Sequence, residues 1–238
     1  MTQLALINYE KLNKLDLNII PMEKPLVSCI MPTANREKYI PFAIKHFLSQ
    51  DYNNSELIII DDGKQPIQHL IPNYHNVHYY YYINPLGSIG AKRNLACEKA
   101  NGDIIIHWDD DDWFAKNWIS NQVYFLITSG ADIAGIEHVN FFSAITDTLW
   151  LGTNLNRNNP ANLNQWVNGA TLVYWKSFWT NHKFLDVSEG EDDNFILNTG
   201  ARVFAHDYID GFVALLHSTN TTSKYFENPI HKKRHNNL

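Results

Sequence analysis

The chain runs to 238 residues, long enough for one large α/β domain with a full core. Its 45% hydrophobic content, with 7 Trp, 12 Tyr and 12 Phe, excludes a disordered chain, and its net charge of −6 speaks against a dedicated nucleic-acid binder, which needs a basic surface. The two cysteines, Cys29 and Cys97, fall in a predicted strand and a predicted helix with no secretory or membrane-spanning run before them, so a cytoplasmic setting is expected.

Residues 1–25 read as an N-terminal arm. Leu12, Leu15 and Ile19 have the spacing of a short amphipathic helix, expected to pack on the domain, with peripheral membrane or partner docking as the alternative. From Leu26 strand and helix patterns alternate, which predicts a layered α/β domain over residues 26–217 with a mostly parallel central sheet. Leu26 to Met31 is the first predicted strand, and Pro41 opens a helix whose apolar face is Ala43, Ile44, Phe47 and Leu48. Leu57 to Ile60 is a buried strand ending on the turn Asp61-Asp62-Gly63. Val77 to Tyr82 is a third strand, and Tyr79 to Tyr82 within it must point alternately to opposite faces, as packing residues do.

A helix is predicted from Ile89 to Ala100, stopped by Asn101-Gly102, and then the strand Ile104 to His107. Ile119, Val123, Leu126 and Ile127 mark another helix. After Ile133 the alternation decays. Val139 to Leu151 resembles a hairpin, and Asn154 through Asn168 is an Asn-rich loop or lid. Residues 218–238 form a tail with a basic end, Lys232-Lys233-Arg234, that is expected to be solvated or to close over a ligand.

Within this pattern Asp109-Asp110-Asp111-Asp112 stands out, because four adjacent carboxylates repel one another and are tolerated most easily beside a bound cation. Hard oxygen ligands suit Mg²⁺ or Mn²⁺. A calcium loop needs Gly at its sixth position and Glu at its twelfth, and here Phe114 and Ser120, or Lys116 and Gln122, stand there instead. In open α/β sheets ligands sit beyond the carboxyl ends of the strands, so Pro32-Thr33-Ala34-Asn35-Arg36, Asp61-Asp62-Gly63 and Asp109 to Asp112 belong together. Gly87 to Asn94 opens a helix with Lys92 and Arg93 in its first turns, and helix N-termini and cations both favour phosphate oxygens. Together these parts describe a site for a nucleotide diphosphate and a metal.

In this order, Pro32-Thr33 to Arg36, Gln50, Asp61-Asp62-Gly63, Gly90 to Asn94, Gly102-Asp103 leading to Asp109 to Trp113, and Gly190-Glu191-Asp192, the chain resembles the inverting glycosyltransferases of family 2, over about residues 26–217. The resemblance implies the GT-A nucleotide-sugar-binding fold, a UDP-sugar donor, a Mn²⁺ or Mg²⁺ cofactor and an unidentified acceptor: a glycan, lipid carrier, protein or small molecule. It makes Asp62 the uracil-reading residue, with Pro32, Thr33, Asn35 and Arg36 at the donor edge, though Ala34 stands where the family commonly carries an aromatic. Arg93 is then the cation that meets the diphosphate, with Lys92 the alternative. Asp111 becomes the metal ligand, Asp109 or Asp110 the ribose or second metal contact, and His217 a late metal ligand. Residues two apart in an extended segment share a side, so Asp109 and Asp111 are expected to act jointly, while Asp112 is a candidate cap for the following helix.

Asp192 resembles the catalytic base, with Glu191 beside it in the acidic motif and Asp193 the alternative by adjacency. Asn168-Gly169-Ala170 resembles the loop near the donor sugar, Trp150, Trp166 and Trp175 are candidates for a sugar platform, and Lys224 for a phosphate contact. Two rivals remain: a nucleotidyltransferase, whose Gly-rich loop after the first strand is missing from Pro32 to Arg36, and a noncatalytic nucleotide-sugar-binding module, against which the retained acidic motifs argue.

Overall fold

The computed structural model describes residues 24–152, 166–218 and 220. The expected arm helix, the Asn-rich loop through residue 165, Lys224 and the basic tail lie outside the described residues. In chain order the elements are β1 (Val27–Thr33), α1 (Ile40–Leu48), β2 (Ser55–Asp61), β3 (Val77–Tyr81), α2 (Ile89–Lys99), β4 (Ile104–His107), β5 (Trp113–Phe114), α3 (Trp118–Ser129) and β6 (Ile133–Ile136). They continue with β7 (Val139–Ser143), β8 (Thr148–Gly152), β9 (Val173–Trp175), α4 (Lys176–Asn181), α5 (Glu191–Leu197), β10 (Val203–His206) and β11 (Phe212–Leu216).

Period-2 alternation in the buried strands builds the layers. Cys29 and Met31 of β1, Leu57 and Ile59 of β2, and Ile104 and Ile106 of β4 point to one face, where the apolar stripes of α1 and α3 cover them. Ile30, Ile58, Ile60 and Ile105 point to the other, against Ala96 and Cys97 of α2 and Phe195 and Ile196 of α5. Each fully buried aliphatic side chain contributes about 1.5–3 kcal/mol, and both faces are covered, so these strands read as unbroken apolar runs. Tyr79 packs on the first face and Tyr80 and Tyr82 on the second, as the alternation predicts.

The main sheet has seven strands in the order β10-β6-β9-β4-β1-β2-β3. β3, β2, β1 and β4 run parallel, and β6 and β10 run parallel to each other. β9 is antiparallel to both β4 and β6, a reversal that a three-residue strand does not announce in sequence. Strand order reverses beside β1, with β2 on one side and β4 on the other, and this switch opens a crevice at their carboxyl ends.

The predicted hairpin is present as β7 and β8, but it belongs to a second, four-stranded sheet of order β5-β11-β7-β8. In this sheet β11 pairs antiparallel with β5, directly after the acidic run. No helix among the described residues is long and apolar enough to cross a membrane.

Candidate active site

A cleft of about 800 Å³ occupies the crevice, within the range of small-molecule sites. Its first wall comes from the ends of β1 and β4 and includes Pro32, Thr33, Arg36 and Asp109 to Asp112; its second includes Asn168, Gly169, Glu191, Asp192 and Asp193.

On the first wall three of the four carboxylates, Asp110, Asp111 and Asp112, find hydrogen-bond partners. Thr33 Oγ1 donates to Asp110 Oδ2 at 2.5 Å, and Arg36 Nη1 donates to Asp110 Oδ1 at 2.9 Å and also to Asp111. His217 Nε2 lies 2.9 Å from Asp111 Oδ2, and Asn220 Nδ2 donates to the same oxygen at 3.3 Å. Tyr39 stacks on the His217 ring with centroids 4.5 Å apart. Asp112 Oδ1 accepts from the Leu215 N–H at 2.9 Å, which ties the acidic run to β11.

Two expectations are corrected here. Asp112 does not cap the next helix, since α3 begins at Trp118 with Asn117 before it. The run is also not extended throughout: Asp110 and Asp111 form a turn, so pleat alternation is not what places Asp109 and Asp111.

Crowding shows in the proton affinities. Burial pushes Asp110 and Asp111 up to about 6 against the pull of Arg36, and neighbouring carboxylates push further. Burial likewise raises Asp109, with the charge of Asp192 adding to it, and raises Asp112 well above the carboxylate range. His217 is lowered to about 4 by burial and by Arg36 and Lys38, which leaves a neutral imidazole at pH 7.

No three of His, Cys, Asp and Glu are gathered into a ready-made metal cage among the described residues. The donor set nevertheless suits a hard divalent ion that keeps water and phosphate ligands: the Asp111 and Asp109 carboxylates with a neutral His217 nitrogen at the edge.

The second wall is held from behind. Arg93, nearly fully buried, forms a short ion pair with Glu191 and lies 3.9 Å from Asp109 Oδ1. The guanidinium expected at the diphosphate is thus committed to carboxylates on both walls, and Glu191 serves as its counter-charge. Asp193 Oδ1 accepts from Trp166 Nε1 at 2.8 Å. Asp192 lies against the bare Cα of Gly169, so closely that a Cβ there would come 1.8 Å from its Oδ2. All three acids occupy the first turn of α5, where the helix dipole favours negative charge.

The remaining predicted residues sit elsewhere. Asp62 Oδ1 is 2.7 Å from Lys92 Nζ, and its Oδ2 accepts from the Leu86 N–H at 3.0 Å, so both oxygens are engaged beside the cleft. Lys92 lines the cleft while bridging Asp62 and the Thr33 carbonyl. Asn35 adopts φ 55 and accepts from the Lys64 N–H at 2.8 Å, which fastens the Asp61 to Lys64 turn. At the N-terminus of α2 two amides are already engaged, since Ser88 Oγ accepts from the Ala91 N–H and the Val187 carbonyl from the Gly90 N–H, while Ile89 lines the cleft. Of the three tryptophans only Trp166 lines the cleft; Trp150 stacks on Phe141 and Trp175 donates to the Ala131 carbonyl.

Sequence reasoning missed Tyr39, Asn220 and the Trp166–Asp193 bond. Asn220 stands three residues after His217, a faint signal; Tyr39 gave none.

Two solved structures that this fold resembles hold nucleotide sugars. S. aureus TarS in complex with UDP-GlcNAc superposes with TM-score 0.64 at 19% identity, covering 86% of this chain and 62% of that one. The mannosyltransferase PcManGT from Pyrobaculum calidifontis, in complex with GDP-Man and Mn²⁺, gives TM-score 0.61 at 15% identity over 90% of this chain and 63% of that one. The fold is therefore GT-A. The model of glycosyl transferase family 2 matches residues 28–187, and the chain belongs to that family.

Among curated relatives, an uncharacterized glycosyltransferase of Haemophilus influenzae is 37% identical over 111 residues, 44% of each chain. The GalNAc(5)-diNAcBac-PP-undecaprenol beta-1,3-glucosyltransferase of Campylobacter jejuni is 30% identical over 93 residues, 37% of this chain and 30% of that one. The matches span less than half the length of these relatives.

Proposed function

We propose that this chain is a metal-dependent, inverting glycosyltransferase that moves a sugar from a nucleotide diphosphate donor, foremost a UDP-sugar, to a hydroxyl acceptor. The observation that carries the reading is the opposition of two acidic groups across one cleft: Asp109 and Asp111 with His217 on the strand-end wall, and Asp192 on the helix wall.

On this reading Asp111, Asp109 and His217 hold the divalent ion, which when bound offsets the charge developing on the diphosphate leaving group. Asp192 accepts the acceptor hydroxyl proton as that oxygen bonds to the anomeric carbon, while the bond from that carbon to the diphosphate breaks on the opposite face. Asp193, one of whose oxygens accepts from the Trp166 indole as one of Asp192's accepts from the Asp193 N–H, is the alternative base. Arg93 keeps the two walls in register through Glu191 and Asp109. Thr33 and Arg36 orient Asp110 and Asp111. Asp62 reads the base on exchanging Lys92 for it, and the TarS complexes with UDP and UDP-GlcNAc support uridine over the guanosine of the PcManGT complex.

Calorimetry of UDP with and without Mn²⁺ tests the metal, with at least about a tenfold affinity gain expected in wild type and none in Asp111→Ala. Transfer assays test the base: Asp192→Asn is expected to lose about 10²- to 10⁴-fold in rate with donor affinity nearly unchanged. Equal UDP affinity with and without metal, or a dead Asp193→Asn beside an active Asp192→Asn, rules out the corresponding part.

A further inference from the structure

We infer that His107, which ends β4 just before the acidic run, is a positioning residue for transfer, acting through the Gly169–Ala170 peptide on Asp192. The inference rests on the reading of Asp192 as the base.

His107 is 1% exposed, at the end of the otherwise aliphatic strand Ile104-Ile105-Ile106. A buried imidazole in that position costs desolvation unless both ring nitrogens find partners, and here both do. Nδ1 lies 2.7 Å from the Gly169 carbonyl oxygen, which can only accept, so Nδ1 carries the proton. Nε2 is then the acceptor for the Tyr174 hydroxyl at 3.4 Å, and that hydroxyl in turn can accept from Cys97 Sγ at 3.3 Å. The rings of Tyr174 and Phe184 pack on the imidazole, each with its centroid 5.6 Å away. This chain of contacts fixes both the orientation and the tautomer of the ring.

The group so held is one end of a single peptide plane. Its carbonyl is bound by His107, and its other end, the Ala170 N–H, donates to Asn168 Oδ1 at 3.0 Å. The Cα on the near side of that plane belongs to Gly169, the residue against which Asp192 rests. Glycine has no Cβ to resist rotation, so this peptide would turn readily without its partners. Release of the carbonyl from His107 would let the turn around Gly169 shift, and with it the Gly169 Cα against which the Asp192 carboxylate rests. His107 therefore sets where the base stands while touching neither donor nor acceptor.

The expected signature is a loss in kcat with the donor KM preserved, recovered by a side chain that returns a donor to the Nδ1 position. Asparagine does so, since its amide nitrogen is the same number of bonds from Cα as Nδ1. His107→Leu is expected to lower kcat about 10- to 100-fold with donor KM within about threefold, and His107→Asn to return kcat to within about threefold of wild type. In the Asp192→Asn background His107→Leu should cost nothing further, because the group it positions no longer acts.

Should His107→Leu fail to fold, His107→Gln replaces it, as its amide reaches one carbon too far and should behave like Leu. Equal kcat in the Asn and Leu (or Gln) variants, a loss confined to donor KM, or losses that multiply with Asp192→Asn overturns the inference alone. An Asp192→Asn enzyme that transfers at wild-type rate overturns the base reading and this inference with it.

Discussion

One wall of the cleft is assembled from residues that directly follow two neighbouring strands; the other is a turn and a short helix whose holding cation, Arg93, lies 98 residues from its partner Glu191. On the strand-end wall Asp110, Asp111 and Asp112 share Thr33, Arg36, His217, Asn220 and one backbone N–H while Asp109 faces Arg93, and burial and nearby carboxylates raise their proton affinities. On the helix wall each acid has a separate support: Arg93 for Glu191, the Asp193 N–H for Asp192 where it rests against Gly169, Trp166 for Asp193. The first wall is an excess of charge that a cation relieves, and the second is a matter of placement. Substitutions should therefore act on the first through charge and on the second through position and packing.

The largest effect that separates the walls is in stability. Glu191→Ala takes from the buried Arg93 guanidinium its directly bonded carboxylate, and removing one partner of a buried pair costs about 3–5 kcal/mol. Arg36→Gln should cost less, because Asp110 and Asp111 already titrate near 6 and can take up protons when their cation goes. Urea denaturation at pH 7 compares the two; an Arg36→Gln protein less stable than Glu191→Ala would erase the distinction.

Next in size is Gly169→Ala, whose methyl collides with the Asp192 carboxylate. Displacing a reacting group by about 1 Å costs about 10²-fold in rate, so transfer should fall by that order while UDP affinity stays within a few-fold. A parallel loss of UDP affinity would mean that the helix wall also binds the nucleotide.

The smallest effect is a control away from both walls. His206, buried between Phe125 and Gln122, is lowered by burial from its ordinary 6.5 to about 3. Protonation then favours the unfolded chain, so its contribution is complete above pH 6.5 and is lost as pH falls towards 3, with a slope of up to about 1.4 kcal/mol per pH unit. Replacing His206 by Gln should flatten the acid limb of a stability curve by that slope without changing the rate ratio between Asp192→Asn and wild type. An unchanged acid limb would mean that His206 takes up its proton in the folded protein as readily as in the unfolded chain.

The strand-end wall was largely legible because its information is local. Buried runs such as Leu57 to Ile60 and Ile104 to His107 announce central strands, and strand ends announce the crevice, so β4 was placed to the residue and β1 and β2 within two. What could not be read was partner choice. Lys92 and Arg93 are adjacent on one helix, yet one turns to Asp62 and the other to Glu191 and Asp109, a decision made by tertiary packing. The reversal of β9 and the second sheet were equally hidden, since strands of two to five residues carry too little pattern to fix direction.

The bond from the Leu215 N–H to Asp112 spans 103 residues of chain. A ribosome adding about 5–20 residues per second takes on the order of 5–20 s to cross that interval. For that time the acidic run exists without the strand that fastens it and without the His217 that faces Asp111. The crevice between β1 and β4 can thus form early in synthesis, but the corner where His217 meets Asp111 is finished only when β11 arrives, so a nascent chain halted before β11 would carry the acidic run without its His217 neighbour.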